Sequence, residues 1–126
     1  MTLTLLLDLD DTLLSSNMDT FIPVYFQTLG KAMAAHVDPQ RLLKYLMLGT
    51  NAMLEHDSPS ETLEEVFSEN FYPYFDVDRD TLDPEIARFY EEIFPTLAYL
   101  TKPRPEAVEF IHWAMERGYR IAIATN

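Results

Sequence analysis

A short apolar run that ends abruptly in carboxylates is the feature that most restricts how this sequence can fold. Residues 3–9 are nearly continuously apolar, which is typical of a parallel strand buried on both faces. Acidic side chains occupy the end of this run and the positions just after it, at Asp8, Asp10 and Asp11. Because charged groups cannot continue into a buried sheet, they mark the carboxyl end of the strand, which is where ligands bind in open α/β sheets.

A second strand of the same kind is predicted near the end of the sequence. Residues 119–124 form a short apolar run, and Thr125 and Asn126 follow it. The amphipathic segment before this run predicts a helix over residues 105–117. Gly118 suits the left-handed position that commonly ends such a helix.

The polar groups at these two strand ends can form one chemical site. If the strands are parallel neighbours, Asp8, Asp10 and Thr125 gather at one edge of one sheet. Two carboxylates can serve as a nucleophile and a proton carrier, provided that their environments differ. A divalent cation such as Mg²⁺ would neutralise the carboxylates together with the phosphate of a ligand. The Thr125 hydroxyl can donate a hydrogen bond to a phosphoryl oxygen.

Between the two strands the spacing of apolar residues is helical, and no strand is predicted from residue 20 to residue 95. Helix starts are predicted from capping residues and from acid–proline pairs. They are Asp19, Asp38-Pro39, Ser58 with a capping box to Glu61, and Asp83-Pro84. An aromatic group is predicted to form the core of this helical block: Phe67, Phe71, Tyr72, Tyr74 and Phe75.

Charge and composition exclude several classes of partner. The 126 residues carry a formal net charge of −12, which repels phosphate backbones, so nucleic acid and anionic membranes are not expected as partners. The chain contains no cysteine, which excludes disulfides and thiolate chemistry. The early apolar run is too short to span a bilayer and follows no basic segment, so a cytoplasmic location is expected.

At these residues the chain resembles the haloacid dehalogenase superfamily. The first motif of that family is an apolar strand followed by Asp-x-Asp-x-Thr, and it corresponds here to Leu5-Leu6-Leu7-Asp8-Leu9-Asp10-Asp11-Thr12-Leu13. The second motif is a strand ending in Thr or Ser, and it corresponds here to Ile121-Ala122-Ile123-Ala124-Thr125-Asn126. A helical cap of the first type is inserted between these motifs in the family.

The resemblance implies an α/β fold: a Rossmann-like core, incomplete in this chain, with an inserted all-helical cap domain. Residues 1–16 and 101–126 would belong to the core, and residues 17–100 would form the cap. The cap would gate the site and set its specificity.

The resemblance also implies a reaction, the hydrolysis of a small phosphomonoester. Asp8 would attack phosphorus and become an aspartyl phosphate, and Asp10 would protonate the leaving oxygen and then activate water. The cofactor would be Mg²⁺, bound by the Asp8 carboxylate and the Asp10 backbone carbonyl. Thr125 and Asn126 would bind the phosphate of the substrate.

The family pattern continues beyond the residues present here. Family members carry a Lys or Arg and further acidic residues after the second motif, so the remaining C-terminal part of the same protein is expected. The alternative is a catalytically incomplete fragment that acts only as a binding or structural module. A phosphorylated receiver domain is a further alternative, but it needs five alternating strand–helix units that the helical block does not supply.

Overall fold

The computed structural model describes residues 2–125, and their backbone positions cluster into two compact units. One unit comprises Met1–Pro23 and Thr96–Asn126, and the other comprises Val24–Pro95. The protein is mixed α/β, with the described strands in the first unit and helices in both.

The first unit contains a parallel pair of strands, β1 (Thr4–Leu7) and β2 (Arg120–Ile123). In their register Leu7 lies opposite Ile123. The Ala124 N–H donates to the Leu7 carbonyl over 2.9 Å, so the pairing continues one residue past β2. The prediction of two parallel neighbouring strands is therefore confirmed. The predicted burial on both faces is wrong, because Leu6 is 71% exposed and Ile123 is 56% exposed.

A helix, α1 (Pro105–Glu116), leads into β2 and ends as the sequence predicted. Gly118 adopts a φ of 75° and donates its N–H to the Met115 carbonyl over 2.9 Å. The Tyr119 N–H donates to the carbonyl of Ala114 over 3.0 Å, which completes a Schellman motif. A residue without Cβ is favoured here because the left-handed region penalises side chains.

A second sheet in the same unit was not predicted. It pairs β3 (Leu14–Ser16) with β4 (Thr101–Pro103) in antiparallel register, with Ser15 opposite Lys102. Three residues are too few to show a period of two, and both segments contain polar residues. Only the folded chain brings these distant segments together.

The other helices were predicted in kind, with differences in their bounds. They are α2 (Met18–Met33), α3 (Pro39–Glu55), α4 (Leu63–Glu69) and α5 (Arg79–Arg88). Short helical turns of other types occupy Tyr72–Tyr74, Phe89–Ile93 and Phe94–Leu100. The structure has no strand between residues 20 and 95, all of which it describes, as predicted. Across residues 2–125, every helix falls short of the length and apolar character needed to cross a membrane.

Of the four predicted helix starts, the start of α3 is confirmed, and the start of α2 lies two residues earlier than predicted. Asp38 is the N-cap of α3, and its carboxylate accepts from the Arg41 N–H over 2.9 Å. Asp19 was predicted to cap α2, but it lies within the first turn. The Asn17 side chain accepts from the Thr20 N–H over 3.3 Å, so the cap is provided two residues earlier.

The predicted capping box from Ser58 to Glu61 is wrong. The helix α4 instead has a complete box between Thr62 and Glu65: the Thr62 N–H donates to the Glu65 carboxylate over 2.7 Å, and the Glu65 N–H donates to the Thr62 hydroxyl over 3.2 Å. Residues 58–61 and residues 62–65 both have the Ser/Thr-x-x-Glu spacing of a capping box. The second register buries Val66, so packing decides between them.

The predicted start at Asp83-Pro84 is also wrong. Helix α5 begins at Arg79 and contains Pro84 in its interior, although proline removes a helical hydrogen bond. Leu82 and Phe89 lie on either side of this position and are each 1% exposed. Burial of these two side chains stabilises a helix that the local sequence would have started later.

The predicted aromatic core is confirmed with one exception. Phe71 is buried in the hydrophobic core, and Phe67, Tyr72 and Phe75 pack against it. Tyr74 is exposed and stacks on the Tyr45 ring at a centroid distance of 4.4 Å. The buried members of this core are Leu29, Met33, Val37, Leu42, Phe71, Leu82 and Phe89.

Candidate active site

The loop that follows β1 contains the predicted nucleophile and a partner for it. Asp8 is the first residue beyond the strand, and its side chain is exposed. The Thr12 hydroxyl donates to Oδ2 of Asp8 over 3.1 Å. One oxygen of the carboxylate is therefore held by a donor from the same loop.

The loop folds back because one carbonyl oxygen gathers three backbone donors. Leu9 accepts from the N–H groups of Thr12 at 3.3 Å, Leu13 at 2.9 Å and Leu14 at 3.0 Å. Asp10 lies inside this turn, forms a backbone bridge with Leu14 and is exposed. The turn returns Thr12 to the strand end, where its hydroxyl reaches Asp8.

Asp11 adopts the left-handed backbone conformation within the turn. Its φ is 56°, and it is the only non-glycine residue with positive φ in residues 2–125. Aspartate tolerates this conformation better than most residues do. Its Oδ1 accepts from the Ser16 N–H over 3.3 Å, so the side chain also ties the turn to β3.

Arg104 contacts the same turn from the other end of the first unit's sequence. Its Nη1 donates to the Asp11 carbonyl over 2.8 Å, and its backbone N–H donates to the Leu13 carbonyl over 3.0 Å. Sequence reasoning missed this residue. A contact with a backbone carbonyl leaves no pattern of residue types, so no signal in the sequence could have indicated it.

Thr125 lies at the same end of the parallel sheet as Asp8. Leu7 is paired with Ile123, and Ala124 donates to the Leu7 carbonyl, so Asp8 and Thr125 both follow at the carboxyl ends of paired strands. Thr125 is exposed. Asn126, the other predicted phosphate ligand, lies outside the described residues.

The donors at this sheet edge fit Mg²⁺ in type. Asp8 offers a carboxylate and Asp10 a backbone carbonyl, and Mg²⁺ is commonly held by one or two carboxylates, with water and substrate phosphate as its other ligands. Within residues 2–125, no group of three or more His, Cys, Asp or Glu side chains is arranged to hold a metal ion. Asp8 and the Asp10 carbonyl would be the residues that hold the ion.

A polar cluster in the helical unit has displaced pKa values. Burial would raise the pKa of Asp83, but hydrogen bonds from Tyr72 and from Nε of Arg79, the latter at 2.9 Å, outweigh it and hold this pKa below its usual value. Burial and the bond to Asp83 raise the pKa of Tyr72. Burial likewise raises the pKa of Tyr25, whose hydroxyl lies 2.7 Å from that of Tyr90.

The sheet edge thus combines an exposed carboxylate, a second acidic residue within an ordered turn and a hydroxyl on the neighbouring strand. Such a set can bind a phosphoryl group, attack it and transfer protons. Comparisons of the chain with protein-family models, characterised proteins and solved structures find no match.

Proposed function

We propose that this protein takes part in the Mg²⁺-dependent hydrolysis of a small phosphomonoester, as a member of the haloacid dehalogenase superfamily. The observation that carries the proposal is the parallel pairing of β1 with β2, with Leu7 opposite Ile123. This pairing agrees with the joint use of Asp8 and Thr125, which are far apart in sequence. Residues 1–16 and 101–126 are assigned to a Rossmann-like core and residues 17–100 to a helical cap.

In the first step an Oδ atom of Asp8 attacks phosphorus. The bond from phosphorus to the leaving oxygen breaks, and Asp10 gives its proton to that oxygen. The products of this step are the free alcohol and an aspartyl phosphate on Asp8. The Thr12 hydroxyl, 3.1 Å from Oδ2, orients the carboxylate so that its other oxygen is available for attack.

In the second step water attacks the phosphorus atom of the aspartyl phosphate. The Asp10 carboxylate takes a proton from this water, the bond from phosphorus to Asp8 breaks, and inorganic phosphate leaves. Bound Mg²⁺, held by Asp8 and the Asp10 carbonyl, would supply positive charge that offsets the phosphoryl oxygens. The Thr125 hydroxyl donates to one of these oxygens.

The Asp8→Asn variant tests the proposal. Phosphate release from p-nitrophenyl phosphate is measured with and without Mg²⁺, for the full-length protein (the parent protein) and for the variant. The parent protein should release phosphate only with Mg²⁺, and Asp8→Asn should abolish the release while the circular dichroism spectrum is unchanged. Asp57→Asn, in an exposed loop, is the matched control. Activity of Asp8→Asn close to that of the parent would exclude Asp8 as the nucleophile.

A binding or structural module without turnover is a second candidate function. It is favoured by apolar side chains on the paired strands, since Leu6 is 71% exposed and Ile123 is 56% exposed, and such surface commonly contacts other proteins. The same assay separates the two candidates. A parent protein that releases no phosphate from phosphomonoesters with Mg²⁺ present would be such a module.

A further inference from the structure

The contacts around Arg104 carry an inference beyond the roles described so far. We propose that Arg104 holds the turn of residues 9–13 in the conformation that places Thr12 against Asp8. The inference rests on the proposed function in one respect: if Asp8 is the nucleophile, Arg104 is a positioning residue for hydrolysis.

The backbone of Arg104 is fixed on both sides. Its N–H donates to the Leu13 carbonyl over 3.0 Å, which extends the pairing of β3 with β4. Its carbonyl accepts from Ala107 at 3.0 Å and Val108 at 3.1 Å, which are the first hydrogen bonds of α1. The Cα atom of Arg104 therefore has a fixed position, and only the side-chain rotamers have to be ordered when the guanidinium binds.

The guanidinium also fixes one peptide group in the turn of residues 9–13. The Asp11 carbonyl accepts from Nη1 of Arg104 over 2.8 Å, and the N–H of the same peptide, that of Thr12, donates to the Leu9 carbonyl over 3.3 Å. With both ends bonded, the plane of this peptide has one orientation. The orientation sets the direction of the Thr12 side chain, whose hydroxyl reaches Asp8 at 3.1 Å.

A strained residue explains why the turn needs this support. Asp11 has a φ of 56°, in a region that costs a non-glycine residue free energy. Its carboxylate offsets part of the cost by accepting from the Ser16 N–H at 3.3 Å. The bond from Arg104 to the carbonyl of the same residue adds a charge-assisted contact. Without it, this peptide keeps only the bond from the Thr12 N–H to the Leu9 carbonyl, at 3.3 Å.

Hydrogen exchange tests the effect on the turn and needs no activity. The variant is Arg104→Gln, and the control is Arg120→Gln, which removes the same charge at the opposite end of the parallel sheet, where Arg120 pairs with Thr4. Arg104→Gln should accelerate exchange about tenfold, the factor for losing one such bond. The amides to follow are those of Thr12, Leu13, Leu14 and Ser16. Arg120→Gln should leave them unchanged, and unchanged exchange in Arg104→Gln would overturn the proposal.

Kinetics test the link to hydrolysis. With Mg²⁺ in excess, Arg104→Gln should lower kcat about tenfold and change KM less than twofold, because the substrate still binds while Asp8 is less well oriented. Arg104→Lys should recover part of kcat, and added guanidinium ion should recover part of it in Arg104→Gln. A change in KM without a change in kcat would overturn the positioning role. So would the absence of rescue by Arg104→Lys and by guanidinium ion.

Failure of the proposed hydrolysis can be distinguished from failure of the inference about Arg104. If the parent protein releases no phosphate while exchange rises in Arg104→Gln, the proposed hydrolysis fails and the control of the turn by Arg104 stands. If the parent protein is active and exchange does not change, the inference about Arg104 fails and the proposed function stands.

Discussion

Thr12 donates a hydrogen bond to the carboxylate of Asp8 over 3.1 Å, between residues four apart in sequence. The contact depends on the Leu9 carbonyl, which accepts three N–H groups and folds the chain back on itself. The Asp-x-Asp-x-Thr spacing thus has a local structural meaning. The last residue of the pattern orients the first.

Thr12→Val should lower the rate of phosphomonoester hydrolysis about twofold to tenfold. Valine has nearly the same shape but cannot donate, and a single hydrogen bond contributes about 0.5–1.5 kcal/mol. Thr12→Ser keeps the hydroxyl and should retain most of the rate. Steady-state kinetics with p-nitrophenyl phosphate measure both variants. Equal rates for Thr12→Val and Thr12→Ser would show that the contact has no effect on catalysis.

Asp10→Asn should slow hydrolysis about 10²–10⁴-fold, the usual contribution of general acid–base catalysis. The loss should be smaller for p-nitrophenyl phosphate than for an alkyl phosphate, since nitrophenolate leaves without a proton. The ratio of kcat values for the two substrates is the measurement. If the loss is equal for both leaving groups, Asp10 does not act as a general acid.

Gly49→Ala should destabilise the helical unit. A Cβ at this position of α3 would lie 2.7 and 2.8 Å from two carbon atoms of the Phe67 ring, closer than van der Waals contact allows. Overpacking costs about 1–3 kcal/mol, which exceeds the gain of about 1 kcal/mol from alanine over glycine in a helix. Urea unfolding gives the free energy. Asn51→Ala, exposed on the same helix, is the control, and a Gly49→Ala protein more stable than the parent would contradict the packing argument.

Asp83 should make the stability of the helical unit depend on pH in the acid range. Its folded-state pKa is lowered because bonds from Tyr72 and Arg79 outweigh the effect of burial. The stabilisation is therefore present above the ordinary aspartate pKa of about 3.9 and is lost as the pH falls through the lower folded value. At neutral pH, Asp83→Asn should cost about 0.2–1 kcal/mol, the range of exposed ion pairs.

The pH dependence itself is the test. The difference in unfolding free energy between the parent protein and Asp83→Asn should be constant at neutral pH and should shrink below about pH 4. Tyr72→Phe removes one donor to the carboxylate and should reduce this pH-dependent part. A difference that grows as the pH falls would have the wrong sign for a lowered pKa.

Strong local signals determined several elements from the sequence alone. The apolar run before Asp8 predicted β1, and the pair Asp38-Pro39 marked the start of α3. Gly118 marked the end of α1, where its φ of 75° disfavours other residues. At each of these positions one backbone conformation is favoured by the residues themselves, so the distant parts of the chain need not be known.

Tertiary structure decided the elements for which local signals were ambiguous or absent. Two consecutive capping-box patterns occur near the start of α4, at residues 58–61 and 62–65, and burial of Val66 selects the one that begins at Thr62. The pairing of β3 with β4 and the bond from Arg104 to the Asp11 carbonyl join residues far apart in sequence. Such contacts depend on backbone groups that every residue possesses. Residue types could therefore indicate Asp8 but could not indicate what holds the turn after it in place.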